Sequence, residues 1–346
     1  MNNNPYSLIF GQEPEQMISR LSETSDVMES FTRENPSQNV YLITGVRGYG
    51  KTVFMTEISN RLRKNKDWIV VELSSEDDLL LELAAELSSE NTLAEIFKSA
   101  KINLSFWGFG LEVSNTAPIT SIQTALTKML ESLSKHGKRL LVSIDEVVSN
   151  ESMRKFTSTF QILTQKKLPI FLLMTGLYDN IRELQDAKNM TFLYRAPKID
   201  LKALSIRAVA DNYRKNFNIS RDEALSMADL TRGYPFAFQV LGYLTWENDG
   251  NYSNVLDEYR RYLEDYVYDK IWSELSARDR LVLNAIANTP GGKILDIRAL
   301  LNIDTNQFNP YRKRLINKGL ITGEKRGYVS FCLPFFESYV IDNYSD

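Results

Sequence analysis

The sequence predicts an α/β fold in which a parallel sheet carries helices on both faces and is followed by a helical lid and a winged-helix domain. Three observations carry this prediction. The apolar runs 40–44, 67–73, 139–144, 169–175 and 194–201 are short and β-favouring, and they alternate with helical patterns, as buried parallel strands do. After Leu201 strand signals fade and capped helical runs replace them. The last eighty or so residues read as helices closed by a short two-stranded ribbon. With 346 residues and 43% apolar content the chain can bury more than one core. The expected parts are residues 1–202 for the sheet domain, 203–268 for the lid and a connecting helix, and 269–346 for the winged helix.

The first strand, Val40-Tyr41-Leu42-Ile43-Thr44, runs into Gly45-Val46-Arg47-Gly48-Tyr49-Gly50-Lys51-Thr52, and a helical pattern opens at Val53. These eight residues satisfy the phosphate-loop spacing of the P-loop NTPases. Its glycines let backbone N–H groups face phosphate oxygens, Lys51 supplies charge at the outer phosphates, and the Thr52 hydroxyl suits Mg²⁺. A nucleoside triphosphate, ATP or its product ADP, is the expected ligand of Gly45 to Val53.

The next strand, Asp67 to Leu73, precedes the amphipathic run Leu79 to Leu87. Residues 101–114 (KINLSFWGFGLEVS) read as a hairpin around Gly108 and Gly110, with Phe106, Trp107 and Phe109 either packed on the sheet or open to a partner. The run Arg139 to Ile144 then ends in Asp145-Glu146, which looks like a Walker B element. Catalytic groups collect at the carboxyl ends of parallel strands. Asp145 is therefore expected to hold Mg²⁺ and Glu146 to polarise an attacking water, which favours hydrolysis over transfer to an acceptor hydroxyl. The strand Pro169 to Thr175 places the Thr175 hydroxyl where it can reach a γ-phosphate or the water, or else cap the next segment. Arg195, ahead of the edge strand, has a γ-phosphate or a surface ion pair as alternatives.

In the lid, Ser205 starts a helix through Phe217, Ser220 with Glu223 makes a capping box, and Gly233-Tyr234-Pro235 breaks the chain before a helix through Trp246. Arg232 stands where a lid can present charge to nucleotide, and equally where a helix C-terminus favours a cation. A Tyr-rich helix, about 252–268, leads onward. In the winged helix, the third helix, 309–318, is followed by the basic turn 323–327 and the strand Tyr328 to Phe331.

Charge narrows the partner classes. The formal net charge is −3, so no chain-wide field draws nucleic acid. Residues 270–346 nevertheless carry eleven Lys or Arg against eight Asp or Glu. Six of those cations, Arg312, Lys313, Arg314, Lys318, Lys325 and Arg326, fall on the third helix and wing, where a winged helix meets double-stranded DNA. Such modules also contact protein, so a protein partner or a homo-oligomer stays open beside DNA. A single cysteine, Cys332, and a single histidine, His136, exclude an internal disulfide and a His/Cys metal cluster. With no secretory leader and no run near the ~18 apolar residues of a membrane helix, a cytoplasmic protein without a membrane partner is expected.

The order of parts resembles the archaeal-type ATPase family within the AAA+/STAND group and, more distantly, archaeal replication-initiator ATPases. The motifs that carry the resemblance are the leader Ile9-Phe10-Gly11-Gln12-Glu13, the loop GVRGYGKT, the strand LLVSIDE, the strand ending at Thr175, the Arg195-Ala196-Pro197 strand, the Gly-Tyr-Pro turn and the terminal winged helix. The resemblance implies that Phe10 and Gly11 lie near the adenine, that Thr175 is a sensor, and that Arg195 matches the arginine before the last strand. It also implies that Pro235 belongs to a nucleotide-facing Gly-x-Pro turn. Initiators carry an arginine inside the lid helix, whereas here Arg232 precedes the turn. The function so implied is an ATP-binding, Mg²⁺-dependent, ATP-hydrolysing switch, slow or partner-stimulated, coupled to DNA. The alternatives are a signalling ATPase whose winged helix touches protein, and a protein that keeps ATP as a structural ligand.

Overall fold

The computed structural model describes residues 3–9, 14–188 and 190–344, and the chain falls into two compact units. The first comprises Arg20–Thr44 and Lys51–Asp200; the second comprises Gly45–Gly50, Leu201–Asp346 and the described part of Met1–Ser19.

The first unit is the sheet unit. Its elements are α1 (Leu21–Thr32), β1 (Val40–Thr44), α2 (Lys51–Arg63), β2 (Trp68–Leu73), α3 (Leu79–Ser89), α4 (Asn91–Ser99), α5 (Ile122–Lys135), β3 (Arg139–Ile144), α6 (Glu151–Gln165), β4 (Ile170–Gly176), α7 (Tyr178–Asp186) and β5 (Lys198–Asp200). The strands form a five-stranded sheet in the order β2-β3-β4-β1-β5, with every pair parallel. Parallel strands need both faces covered, and the apolar alternation shows how this is met. Val40, Leu42, Leu140, Val142, Leu172 and Met174 share a core with Leu83, Leu130, Phe156 and Phe160 of the following helices. The alternate positions turn to an aromatic group, in which Phe31 of α1 lies 5.0 Å and Trp68 lies 4.9 Å from Phe171. Arg139 ties α1 to the sheet by donating to the carbonyls of Phe31 and Arg33, each at 2.8 Å.

Two local expectations are corrected. Residues 101–114 form no hairpin; a 3₁₀ turn, Ser105–Trp107, stands there. One backbone bond, Leu104 to Leu111, crosses the segment, and side chains supply others: Asn103 donates to the carbonyls of Val113 and Thr116, and the Trp107 indole donates to Ile119. The edge strand is shorter than 194–201, because Tyr194 and Arg195 belong to a second 3₁₀ turn, Thr191–Arg195. Pro197 has no N–H to give a ladder and contributes only its carbonyl, to Leu42 at 3.0 Å.

The second unit is mainly helical. It contains α8 (Ile206–Phe217), α9 (Arg221–Asp229), α10 (Pro235–Glu247), α11 (Leu256–Leu263), α12 (Asp269–Ser273), α13 (Ala277–Ala287), α14 (Ile294–Leu301), α15 (Thr305–Asn317), the antiparallel ribbon β6 (Ile321–Thr322) and β7 (Ser330–Phe331), and α16 (Phe336–Asn343). Ser220, Ser276 and Asp304 accept the amides of Glu223, Asp279 and Gln307, and Gln307 completes a reciprocal capping box at Asp304. That box starts α15 at Thr305, ahead of the expected 309. The Tyr-rich segment is not one regular helix, since a π turn, Glu264–Tyr268, interrupts it. The extra residue shifts the register: Tyr259 and Tyr268 are buried, while Tyr266 stacks on Tyr262 at the surface. The terminal α16 packs Phe336 against Tyr268 at 5.0 Å and brings the Tyr339 hydroxyl to Asp269 at 2.6 Å. Among the described residues no helix is long and apolar enough to cross a membrane.

Residues 3–9 belong to this unit too. Tyr6 is 2% exposed, lies 5.7 Å from Phe217 in a stacked pair, meets Phe238 edge-on, and donates its hydroxyl to Asn212 at 2.8 Å. Gly242 makes the room, for a Cβ there would meet the Tyr6 ring at 2.5 Å. Gly242→Ala should therefore overpack the site and lower stability by about 1–3 kcal/mol. Chemical denaturation would read the loss, and proteolysis within residues 3–19 should quicken in the same variant.

Candidate functional site

In the sheet unit, parallel register brings the strand ends level. Ile144 sits opposite Met174, and Ile43 opposite Thr175, so Asp145 follows β3 beside the end of β4. Two hydroxyls clasp its carboxylate. Thr52, in the first turn of α2, donates to Oδ2 at 2.6 Å, and Thr175 donates to Oδ1. Thr175 is fully buried and serves three further ends: its Oγ1 accepts the Glu146 amide at 3.1 Å, its carbonyl accepts the Val147 amide at 2.9 Å, and its backbone extends β4. Glu146 itself has φ +47°, a left-handed backbone rare for a side-chain-bearing residue. The Asp145, Thr175 and Val147 bonds hold it there. The strand alternation is broken at this point, and the Glu146 side chain is exposed while Val147 is buried. Strain held by surrounding bonds is a recurrent property of reacting sites.

Lys51 opens α2 and is 7% exposed, and Val53, two positions on, is half-buried. The loop residues Gly45–Gly50 are grouped with the second unit. Gly48 and Gly50 have φ +75° and +80°. The Tyr49 amide closes a turn on the Val46 carbonyl at 3.2 Å. The Tyr234 hydroxyl donates to the Arg47 carbonyl at 2.8 Å, and the Phe236 amide donates to the Gly48 carbonyl at 3.1 Å. Arg47 donates to Glu274 at 2.9 Å.

A family model described as a domain of unknown function (DUF8462) matches residues 265–340. No curated protein matches the chain. Among solved structures, the Walker-type ATPase PABY2304 of Pyrococcus abyssi aligns at 15% identity over 96% of this chain and 99% of that one, with a TM-score of 0.69. The ORC2 protein of Aeropyrum pernix, in its ADPNP–ADP complexes, aligns at 14% identity over 96% and 95%, with a TM-score of 0.61. The chain has the P-loop NTPase fold.

Within that fold the remaining expected site residues are distributed as follows. Phe10 and Gly11 lie outside the described residues. Arg195 is exposed in its 3₁₀ turn. Arg232 has φ +48° and donates Nη1 to the Phe331 and Leu333 carbonyls at 2.9 and 3.2 Å, so its side chain fastens the segment after the ribbon. Pro235 occupies the first turn of α10, where a missing N–H costs nothing. Of the six C-terminal cations, Lys313, Lys325 and Arg326 are exposed, and Lys325 lies over the Tyr328 ring at 4.1 Å. Arg314 is engaged internally: it pairs with buried Asp279 at 2.5 Å and covers Tyr311. Arg312 and Lys318 are half-buried.

Sequence reasoning missed Tyr234, Phe236 and Glu274 as partners of the loop. The Gly-Tyr-Pro turn was the only signal for Tyr234 and Phe236, nothing local ties it to residues 47 and 48, and Glu274 carried no signal. At the acid end, Thr175→Val should remove a hydroxyl that bonds a carboxylate and cost about 1–3 kcal/mol in chemical denaturation. Thr175→Ser keeps the donor and should recover most of that loss.

Proposed function

We propose that the chain is an ATP-binding and ATP-hydrolysing switch that uses Mg²⁺ and couples nucleotide state to a C-terminal winged-helix module. The observation that carries this reading is the Asp145 carboxylate held between the Thr175 hydroxyl and that of Thr52, the residue that closes a complete phosphate-loop motif. A hydroxyl and a carboxylate are hard oxygen donors, which suits Mg²⁺ filled out by water and phosphate. Among the described residues no group of three or more His, Cys, Asp and Glu gathers for an all-protein metal site. Bound there, Mg²⁺ would neutralise phosphate charge; Thr52 and Asp145 would hold it. Lys51 answers the outer phosphates with its ammonium. Glu146 is the base: its exposed carboxylate orients water, and its strained backbone is fixed through Thr175. That the ORC2 neighbour was solved with ADPNP and ADP supports the nucleotide class.

The C-terminal module would read out the nucleotide state on double-stranded DNA, a role supported by exposed Lys313, Lys325 and Arg326 on α15 and the ribbon turn. A second reading, contact with protein instead, is favoured by the internal use of Arg314, which leaves a smaller cationic surface.

Titration calorimetry with Mg-ATP should register binding that Lys51→Ala abolishes, and phosphate release should fall about 10²-fold or more in Glu146→Gln. Unchanged heat and turnover in both variants would defeat the assignment. Duplex titration should weaken steeply with salt, each of Lys313→Ala and Arg326→Ala lowering the log–log slope by about 0.9. Flat curves, with nucleotide-dependent light scattering, would favour protein contact. Arg314→Ala tests something else, since it strands Asp279 in a buried place and should cost on the order of 2 kcal/mol of stability.

A further inference from the structure

We infer that Tyr234 is a positioning residue for the phosphate loop, aiming the loop's Gly48 amide from the lid side and so making nucleotide affinity depend on the lid. The inference rests on the reading that Gly45–Gly50 binds nucleotide phosphates. A trans peptide points its C=O and N–H in opposite directions. Fixing the Arg47 carbonyl therefore fixes the Gly48 N–H on the other side of the same plane. Tyr234 fixes it: its hydroxyl reaches the Arg47 oxygen at 2.8 Å from a ring that is fully buried and packed 5.3 Å from Tyr49. The neighbouring carbonyl, Gly48, takes the Phe236 amide, one of the first-turn donors of α10 that lack a partner within the helix.

Both bonds need Gly48. Its φ of +75° suits glycine, and a Cβ there would collide with the Tyr234 hydroxyl, so one residue serves the turn and the lid contact together. Two further contacts keep the loop in place within this unit. Arg47 pairs with Glu274, just past α12, and a Cβ on Gly319 would strike Val46. Burial pushes the Glu274 carboxyl upward, but the Arg47 guanidinium and the Lys270 ammonium more than offset this and hold it below the usual carboxylate value. Gly48 and Arg47 thus take their backbone geometry from residues nearly two hundred positions away. By reciprocity of linked equilibria, nucleotide on the loop must steady the start of α10 as much as that start steadies the nucleotide.

Tyr234→Phe removes one oxygen and keeps the ring. In the full chain, calorimetry with Mg-ATP and with Mg-ADP should show affinities about five- to tenfold weaker than wild type, the worth of one hydrogen bond. A purely structural hydroxyl would lower the melting temperature of the nucleotide-free protein and leave both affinities within twofold, which would overturn the inference. The wild type supplies a test that does not need the variant to fold. Saturating Mg-ATP should slow hydrogen exchange at the amides of residues 236–240, and unchanged exchange with ATP demonstrably bound would also overturn it. Absence of any ATP heat in the wild type would instead defeat the nucleotide reading on which the inference stands.

Discussion

A short glycine-rich loop with positive φ at Gly48 and Gly50 bonds little to itself beyond the Tyr49–Val46 turn, and its other carbonyls must find partners elsewhere. In this protein the carbonyls of Arg47 and Gly48 find them at the start of α10, in the Tyr234 hydroxyl and the Phe236 amide. An unmade buried hydrogen bond costs about 1–3 kcal/mol, so this constraint acts on both partners. It explains why a tyrosine stands between Gly233 and Pro235, and why α10 begins where it does. Pro235 sets the first helical φ, and the next amide is the one delivered to the loop.

The acid end obeys a related constraint. A carboxylate half out of water wants donors, and the first turn of α2 and the end of β4 each supply a hydroxyl. Thr175 does more than donate. By accepting the Glu146 amide and offering its carbonyl to Val147, it holds a bent backbone that no strand would adopt unaided. The backbone geometry of Glu146 is therefore a property of β4 as much as of β3.

Much of the sheet unit could be read from sequence, because parallel strands buried on both faces leave continuous apolar runs and the phosphate loop is a contiguous motif. The reading failed where side chains replaced a regular pattern. Asn103 and Trp107 satisfy the segment that looked like a hairpin, and Pro197 shortens the edge strand. In the helical unit, the π turn at Glu264–Tyr268 interrupts the Tyr-rich helix, a break that periodicity cannot anticipate. Arg314 looked like a surface cation because its partner, Asp279, lies on another helix. Contacts of that kind depend on three-dimensional proximity, and the one-dimensional pattern does not contain them.

Tyr6 has a consequence for how the helical unit comes into being. The ring fills a notch over Gly242 bounded by Tyr213, Phe217 and Phe238, yet it is made long before those residues during synthesis. Closing so long a loop is slow relative to local helix formation, so α8 and α10 should pair before residues 3–9 dock. A fragment beginning at Leu201 would retain the vacant notch as an apolar hole in its surface. Such fragments should be sticky at high concentration, and a peptide spanning residues 3–9 should bind them.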